Sequence, residues 1–174
     1  MQLTDGTIRL RPAVEEDAPE VTAAVQASWP ELFEWQPWAI PTFDQNDALR
    51  WIRGDLDPTE HAFVILGPDE QIAGVCGLGH INEVNRFANL GVWLRSDRTR
   101  RGWATAAVRL VVRYGFEELG LHRVELLMAT GNAASRRLAE RLGAHHEGVL
   151  RGRLLLHGVH HDAHLFAILA GERD

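Results

Sequence analysis

The residues whose types and spacing could do chemistry are concentrated between positions 95 and 105. Arg95, Arg98, Arg100 and Arg101 crowd the approach to Gly102-Trp103-Ala104-Thr105. Before them, Leu90-Gly91-Val92-Trp93-Leu94 is a short apolar run suited to a strand; after them, Ala104, Ala107, Val108, Val111, Val112 and Phe116 recur at helical spacing. A helix therefore begins near Arg101 or Gly102. First-turn amides of a helix have no internal partner and lie at the positive end of its dipole, so a glycine there lets an anion approach the backbone. Guanidinium forks on the same loop match phosphate oxygens, and the arrangement reads as a pyrophosphate cradle.

The elements that must position this loop follow from the pattern on either side. Thr7-Ile8-Arg9-Leu10-Arg11 alternates like a half-buried strand ended by Pro12, and Asp17 with Glu20 offers a capping box to a helix through Val21, Ala24, Val25 and Ala27. Between positions 29 and 41, three prolines and four large aromatics predict a loop or broken helix, after which Asp44 or Thr42 caps a short helix to Gly54. Residues 61–66, 71–79 and 88–94 predict three antiparallel strands in succession. The helix after the arginine loop ends near Gly120; residues 124–129 then form a strand parallel to the one before the helix. A helix over 133–142, closed by Gly143, and strands over 147–156 and 162–169 complete the chain. The expected fold is α/β (α+β): one domain spanning 1–174, with a mixed, mostly antiparallel twisted sheet of about seven strands and helices on both faces.

Composition narrows the function. The chain has 174 residues and is 45% hydrophobic, enough for one core, and holds no apolar run long enough to cross a membrane. The first residues lack the basic-then-apolar order of a secretory signal, so a cytoplasmic protein is expected. Residues 1–94 carry five arginines against fifteen acids, a net of −10, while residues 95–174 carry thirteen against nine, a net of +4, making the −6 of the whole. A basic second half suits an anionic cofactor and an acidic first half suits an amine. There is no lysine, which rules out a Gly-x-x-x-x-Gly-Lys phosphate loop; the acidic balance disfavours nucleic acid. The single Cys76 lies in an apolar run and reads as a core residue, and His145, His146, His157, His160 and His161 match no metal-ligand spacing, so no metal is expected.

The element order with the arginine loop between the fourth strand and the third helix resembles the GNAT family of acetyl-CoA-dependent N-acetyltransferases. Gly102-Trp103-Ala104 matches the second half of that family's Gln/Arg-x-x-Gly-x-Gly/Ala motif, with Thr99 and Arg100 departing from its first half. Asn132-x-x-Ser135 opening the next helix supports the likeness. Within the family, Trp35-Gln36-Pro37-Trp38, Trp103-Ala104-Thr105 and Glu147-Gly148-Val149-Leu150-Arg151 with His161-Asp162 look like the RimJ/RimL branch, which acetylates ribosomal-protein N-termini.

The resemblance implies acetyl-CoA as co-substrate, held at its pyrophosphate by the amides of Arg100, Arg101, Gly102, Trp103, Ala104 and Thr105. It also implies a pantetheine arm on the backbone of Leu94 and Arg95, and a sheet splayed between its fourth and fifth strands. Arg136 or Arg137 could reach the 3′-phosphate. Asn132 and Ser135 are readable as an N-cap and an N3 residue; in the branch's pattern the Ser135 hydroxyl also lies close to the sulfur and would protonate the departing thiolate. The tyrosine many members use is replaced by Phe166, and a glutamate of some Rim-type enzymes falls at Leu154. His80 and Glu83 are the substitute bases, with Asp162 third. Trp29, Phe33, Trp35 and Trp38 would form the acceptor wall, or pack in the core. The favoured acceptor is a protein N-terminal α-amine, since at pH 7 such an amine costs about 1 kcal/mol to deprotonate and a lysine amine about 4.6 kcal/mol. A small amine such as a polyamine or antibiotic, or a CoA-binding module without turnover, is the alternative. A homodimer is a further expectation carried by the resemblance.

Overall fold

Alternate residues of β3 (His61–Leu66) enter two different cores: Phe63 and Ile65 pack on one face of the sheet, Val64 and Leu66 on the other. Such period-two burial on both faces requires a helical layer on each side. The computed structural model describes residues 1–172. Among them β1 (Leu3–Thr4), β2 (Arg9–Pro12), β3, β4 (Ile72–Asn82), β5 (Phe87–Leu94), β6 (Arg123–Ala129), β7 (His145–Leu156) and β8 (Val159–Leu169) form one sheet, ordered β1-β2-β3-β4-β5-β6-β8-β7. One face carries α1 (Ala18–Ala27), α2 (Trp29–Trp35) and α3 (Gln45–Ile52), through Val21, Val25, Leu32 and Ala48. The other carries α4 (Trp103–Glu117) and α5 (Ala133–Arg141), through Val108, Val111, Leu138 and Ala139.

The parallel pair at the centre of the sheet is short. β5 meets β6 at Phe87↔Arg123, Ala88↔Val124 and Asn89↔Glu125, and pairing stops there. Residues 90–94 keep β4 on one edge, residues 126–129 keep β8, and the two inner edges part. This is the expected splay, one strand number higher because β1 precedes the strand expected first. β1 was not predicted: two residues pairing Leu3↔Leu10 are too few to show a period.

Three further features of the helices on the α1–α3 face have identifiable causes. Of the loop or broken helix expected after Ser28, the chain takes the second: the seven-residue α2 forms because Pro30 falls in the first turn, where its missing N–H costs nothing, and it ends before Pro37. Asp17 and Glu20 do not make the expected capping box. The Asp17 carboxylate accepts from the Arg11 guanidinium at 2.7 Å and from the Val14 N–H at 2.9 Å, and Glu20 accepts from the Ile72 N–H at 2.7 Å, fastening α1 to β4. Burial would raise the Asp17 pKa, but these bonds outweigh it and hold the carboxyl below its usual range. Asp44 does cap α3, accepting from the Asn46 and Asp47 amides.

β4 and β5 leave no room for a side chain at Gly74. A Cβ there would lie 2.1 Å from the Trp93 carbonyl oxygen and 2.8 Å from the Leu94 Cα. Gly74→Ala must push apart the strands that deliver the chain to the arginine loop, at about 3 kcal/mol. A urea titration should show that loss, and an unchanged midpoint would mean the approach is slack.

Candidate active site

The arginine loop is fastened before it turns. The Arg95 N–H donates to the Ala73 carbonyl at 2.8 Å, and the Ser96 N–H donates to the buried Ser28 hydroxyl at 3.0 Å, tying the loop to β4 and to the α1–α2 junction. After a single 3-10 turn, Gly102 becomes the N-cap of α4 at φ 79, with nothing within 4 Å of where a Cβ would project. Ala106 N–H donates to the Gly102 carbonyl, and no side chain caps the helix, so the amides of residues 103–105 lack helical partners. Free amides, a left-handed joint and open space together are the features that suit an anion.

The four arginines divide. Arg95 is paired with Asp97 at 3.0 Å, and Arg98 with Asp69 at 2.7 Å and with Gln71. Arg101 lies 5.2 Å from the Trp103 ring and donates to the Asp97 carbonyl. Arg100, at φ 62, has no partner among the described residues. The Trp103 ring is buried, leaving its amide to face the loop, while Ala104 and Thr105 are half-buried. Arg100→Gly removes the cost of a left-handed non-glycine residue, about 1 kcal/mol, together with the loop's free guanidinium. The thermal midpoint should not fall, while CoA affinity by calorimetry should drop about fivefold and depend less on salt; equal affinity would leave binding to the amides alone.

Across the splay, Asn132 caps α5 by accepting from the Ser135 N–H at 3.1 Å, as helix chemistry predicted. Ser135 is half-buried and its hydroxyl has no partner among the described residues. Arg136 is paired with Glu140 at 2.9 Å, whereas Arg137 is exposed and free of partners among them. Phe166 is buried beside His146 at 4.7 Å, so its place in the core offers no hydroxyl, and Leu154 is apolar.

The four aromatics of the expected acceptor wall are distributed along a strap. Trp38 packs on Trp93 of β5 at 5.9 Å; Trp35 covers Gly131 in the β6–α5 turn, where a Cβ would meet its ring at 3.1 Å. Phe33 stacks on His157 of the β7–β8 turn at 3.8 Å, and Trp29 tilts against Phe33 at 5.2 Å. Residues 29–38 thus bridge both arms of the splay on the face opposite α4.

A cleft of about 580 Å³ opens beside the last paired residue before the splay, lined by Asp57, Thr59, His80, Ile81, Asn82, Phe87, Asn89 and Arg153. β4 bulges between Gly79 and Asn82, with His80 at φ 50. The amides released by the bulge are taken up by side chains: His80 N–H by Asp57 at 2.6 Å and Ile81 N–H by the Thr59 hydroxyl at 3.1 Å. Burial would raise the Asp57 pKa, but bonds from Thr59 and the His80 amide outweigh it and lower it. The His80 ring is 76% exposed, its Nδ1 3.4 Å from the Asp57 carboxylate. Glu83 lies in the exposed turn beyond and does not line the cleft; Asp162 holds the Gly152 N–H at 2.8 Å. Sequence reasoning found His80 but missed Asp57, Asn89 and Arg153; the Asp57-Pro58-Thr59 turn chemistry was the one available signal. Among the described residues no group of three or more His, Cys, Asp or Glu could hold a metal ion, and buried Cys76 has its thiol pKa pushed well up by desolvation.

The splayed edges, the bare helix start and the free Ser135 hydroxyl fit a pyrophosphate-bearing thioester. Comparison with known proteins agrees. Residues 7–145 match the family model for the acetyltransferase (GNAT) domain. YdaF of Bacillus subtilis, provisionally named a ribosomal N-acetyltransferase, is 31% identical over 172 residues, covering 95% of this chain and 92% of that protein. The spermidine N(1)-acetyltransferase of Escherichia coli K12 is 30% identical over 107 residues, 62% of this chain and 57% of that protein. The structure of the RimL ribosomal L7/L12 alpha-N-protein acetyltransferase in complex with coenzyme A superposes with a TM-score of 0.89 at 20% identity, over 97% of this chain and 98% of that one. No helix of the described chain is long and apolar enough to cross a membrane. The chain belongs to the GNAT family and is an N-acetyltransferase that uses acetyl-CoA.

Proposed function

We propose that the chain acetylates the α-amine of a protein N-terminus, of the kind ribosomal proteins present, acting in the cytoplasm as one catalytic domain over residues 1–174. The observation that carries the proposal is the strap at residues 29–38, which roofs the splay with aromatic rings and leaves beside it a cleft open enough for a chain end. The likeness to YdaF over nearly the whole chain supports the same reading. The spermidine enzyme matches a shorter part and supports the runner-up, a small polyamine acceptor.

Acetyl-CoA supplies an activated acyl carbon and a moderate thiolate leaving group. Gly102 and the amides of residues 100–105, that of Arg101 among them, hold its pyrophosphate, helped by the free guanidinium of Arg100; the backbone of Leu94 and Arg95 steers the pantetheine arm into the splay, and Arg137 is free to meet the 3′-phosphate. His80, oriented by Asp57, takes the proton of the acceptor ammonium, and the neutral amine then attacks the acyl carbon directly. As the C–N bond forms and the C–S bond breaks, the Ser135 hydroxyl gives its proton to the departing thiolate and regains one, through solvent, from the attacking nitrogen, leaving a neutral amide, the CoA thiol and the first proton on His80. Glu83 stands by the route into the cleft rather than at the reacting atoms.

Ser135→Ala should lower kcat for a peptide acceptor about a hundredfold with CoA affinity unchanged, measured by thiol release and calorimetry. An unaltered kcat would remove Ser135 from the reaction.

A further inference from the structure

Among the described residues the acceptor cleft has one unpaired guanidinium and no free carboxylate. Arg153 stands on a bulge of β7 where the ladder to β8 breaks between Leu150 and Leu154. That bulge is fixed from both sides: Gly152 N–H donates to Asp162 at 2.8 Å, and His160 Nδ1 contacts the Gly152 carbonyl at 3.2 Å. Arg153 therefore reaches the cleft from a set position and makes no ion pair or hydrogen bond among the described residues. Among the described residues the one acid lining the cleft is Asp57, 14% exposed in its side chain. Both its oxygens are committed, Oδ1 to the Thr59 N–H and hydroxyl, Oδ2 to the His80 N–H. Glu60, behind Gly79, accepts from Trp51 Nε1 at 2.9 Å, and its burial favours the uncharged form. Asn82 and Asn89 add neutral amides.

We propose that Arg153 is a specificity residue that selects acceptors carrying a carboxylate near the reacting amine, as an acidic N-terminal peptide does. A polyamine brings further cations and finds no free acid in this cleft, so the acidic half of the chain does not translate into an acidic pocket. The inference rests on the N-terminal acetylation reading and chooses between its two acceptor classes. The carboxylate could belong to a side chain at the second or third residue of a peptide, or to the α-carboxylate of a free amino acid.

The test measures kcat/KM for peptides sharing a first residue and differing at the second and third (Asp, Ala or Lys), for the free amino acid and for spermidine, with wild type, Arg153→Ala and Arg153→Glu. Wild type should prefer the acidic over the neutral peptide about tenfold, less at high salt. Arg153→Ala should erase that preference and Arg153→Glu should reverse it toward the Lys peptide, with CoA affinity unchanged in both. Preference for the peptide over the free amino acid places the carboxylate on a side chain; the converse places it on the α-carbon. Equal rates for acidic and neutral peptides in wild type, or a preference that survives Arg153→Ala, would overturn the proposal. If no peptide is acetylated, the N-terminal reading fails by itself. Fluorescence anisotropy of the same peptides then decides on Arg153: tighter binding of the acidic peptide that is lost in Arg153→Ala upholds it, and equal binding refutes it.

Discussion

A parallel strand pair that ends after three residues is the constraint on which the remainder depends. Past Asn89 and Glu125, β5 and β6 each turn a row of backbone donors and acceptors toward a gap. Polar backbone withdrawn from a ladder needs other partners, and a mixed sheet that opens at its centre must be held open from both faces. On one face α4 begins at the mouth of the gap with its own first-turn amides bare. On the other, the aromatic strap touches β5, the β6–α5 turn and the β7–β8 turn in succession, so the arms are spaced by ring packing together with the hydrogen bond between His157 Nε2 and the Phe33 carbonyl at 2.7 Å. Under the proposed function this gap is where the acetyl-CoA chemistry takes place.

The arginine loop shows how charge and backbone share one job. Four guanidinium groups suggested binding by side chains, yet Arg95 and Arg98 are spent on Asp97 and Asp69, and Arg101 lies against Trp103. Their work is to fix the loop's shape, including a left-handed Arg100 that a glycine would adopt at lower cost. What remains to meet an anion is one free cation and the open end of a helix. The same economy holds in the cleft, where Asp57 is consumed in stabilising the His80 bulge and the unpaired charge is Arg153.

Legibility in sequence tracked the range of the interactions involved. The helical period after Gly102, the Asn132 cap and the Asp44 cap were readable because each is set within a few residues, and the β-α-β order because each of its elements has a local period and the crossover has a fixed hand. The strap was half legible: its prolines argued against a long helix, but that Trp35 lies on Gly131 depends on a contact nearly a hundred residues away. Glu20 looked like a cap and is instead a tie to Ile72, since a fitting long-range amide outcompetes a local one. Asp57 offered only its turn chemistry and Arg153 no pattern at all; they line one cleft with His80 only once β4 bulges and β7 loses register.

The claim that the start of α4 is the pyrophosphate site is tested most directly by the amide resonances of Gly102, Trp103 and Ala104 in a titration with CoA and, separately, with pantetheine. Hydrogen bonding to phosphate should shift these protons downfield with CoA and leave them in place with pantetheine, which lacks the pyrophosphate. Resonances that ignore CoA, or that respond equally to pantetheine, would contradict it.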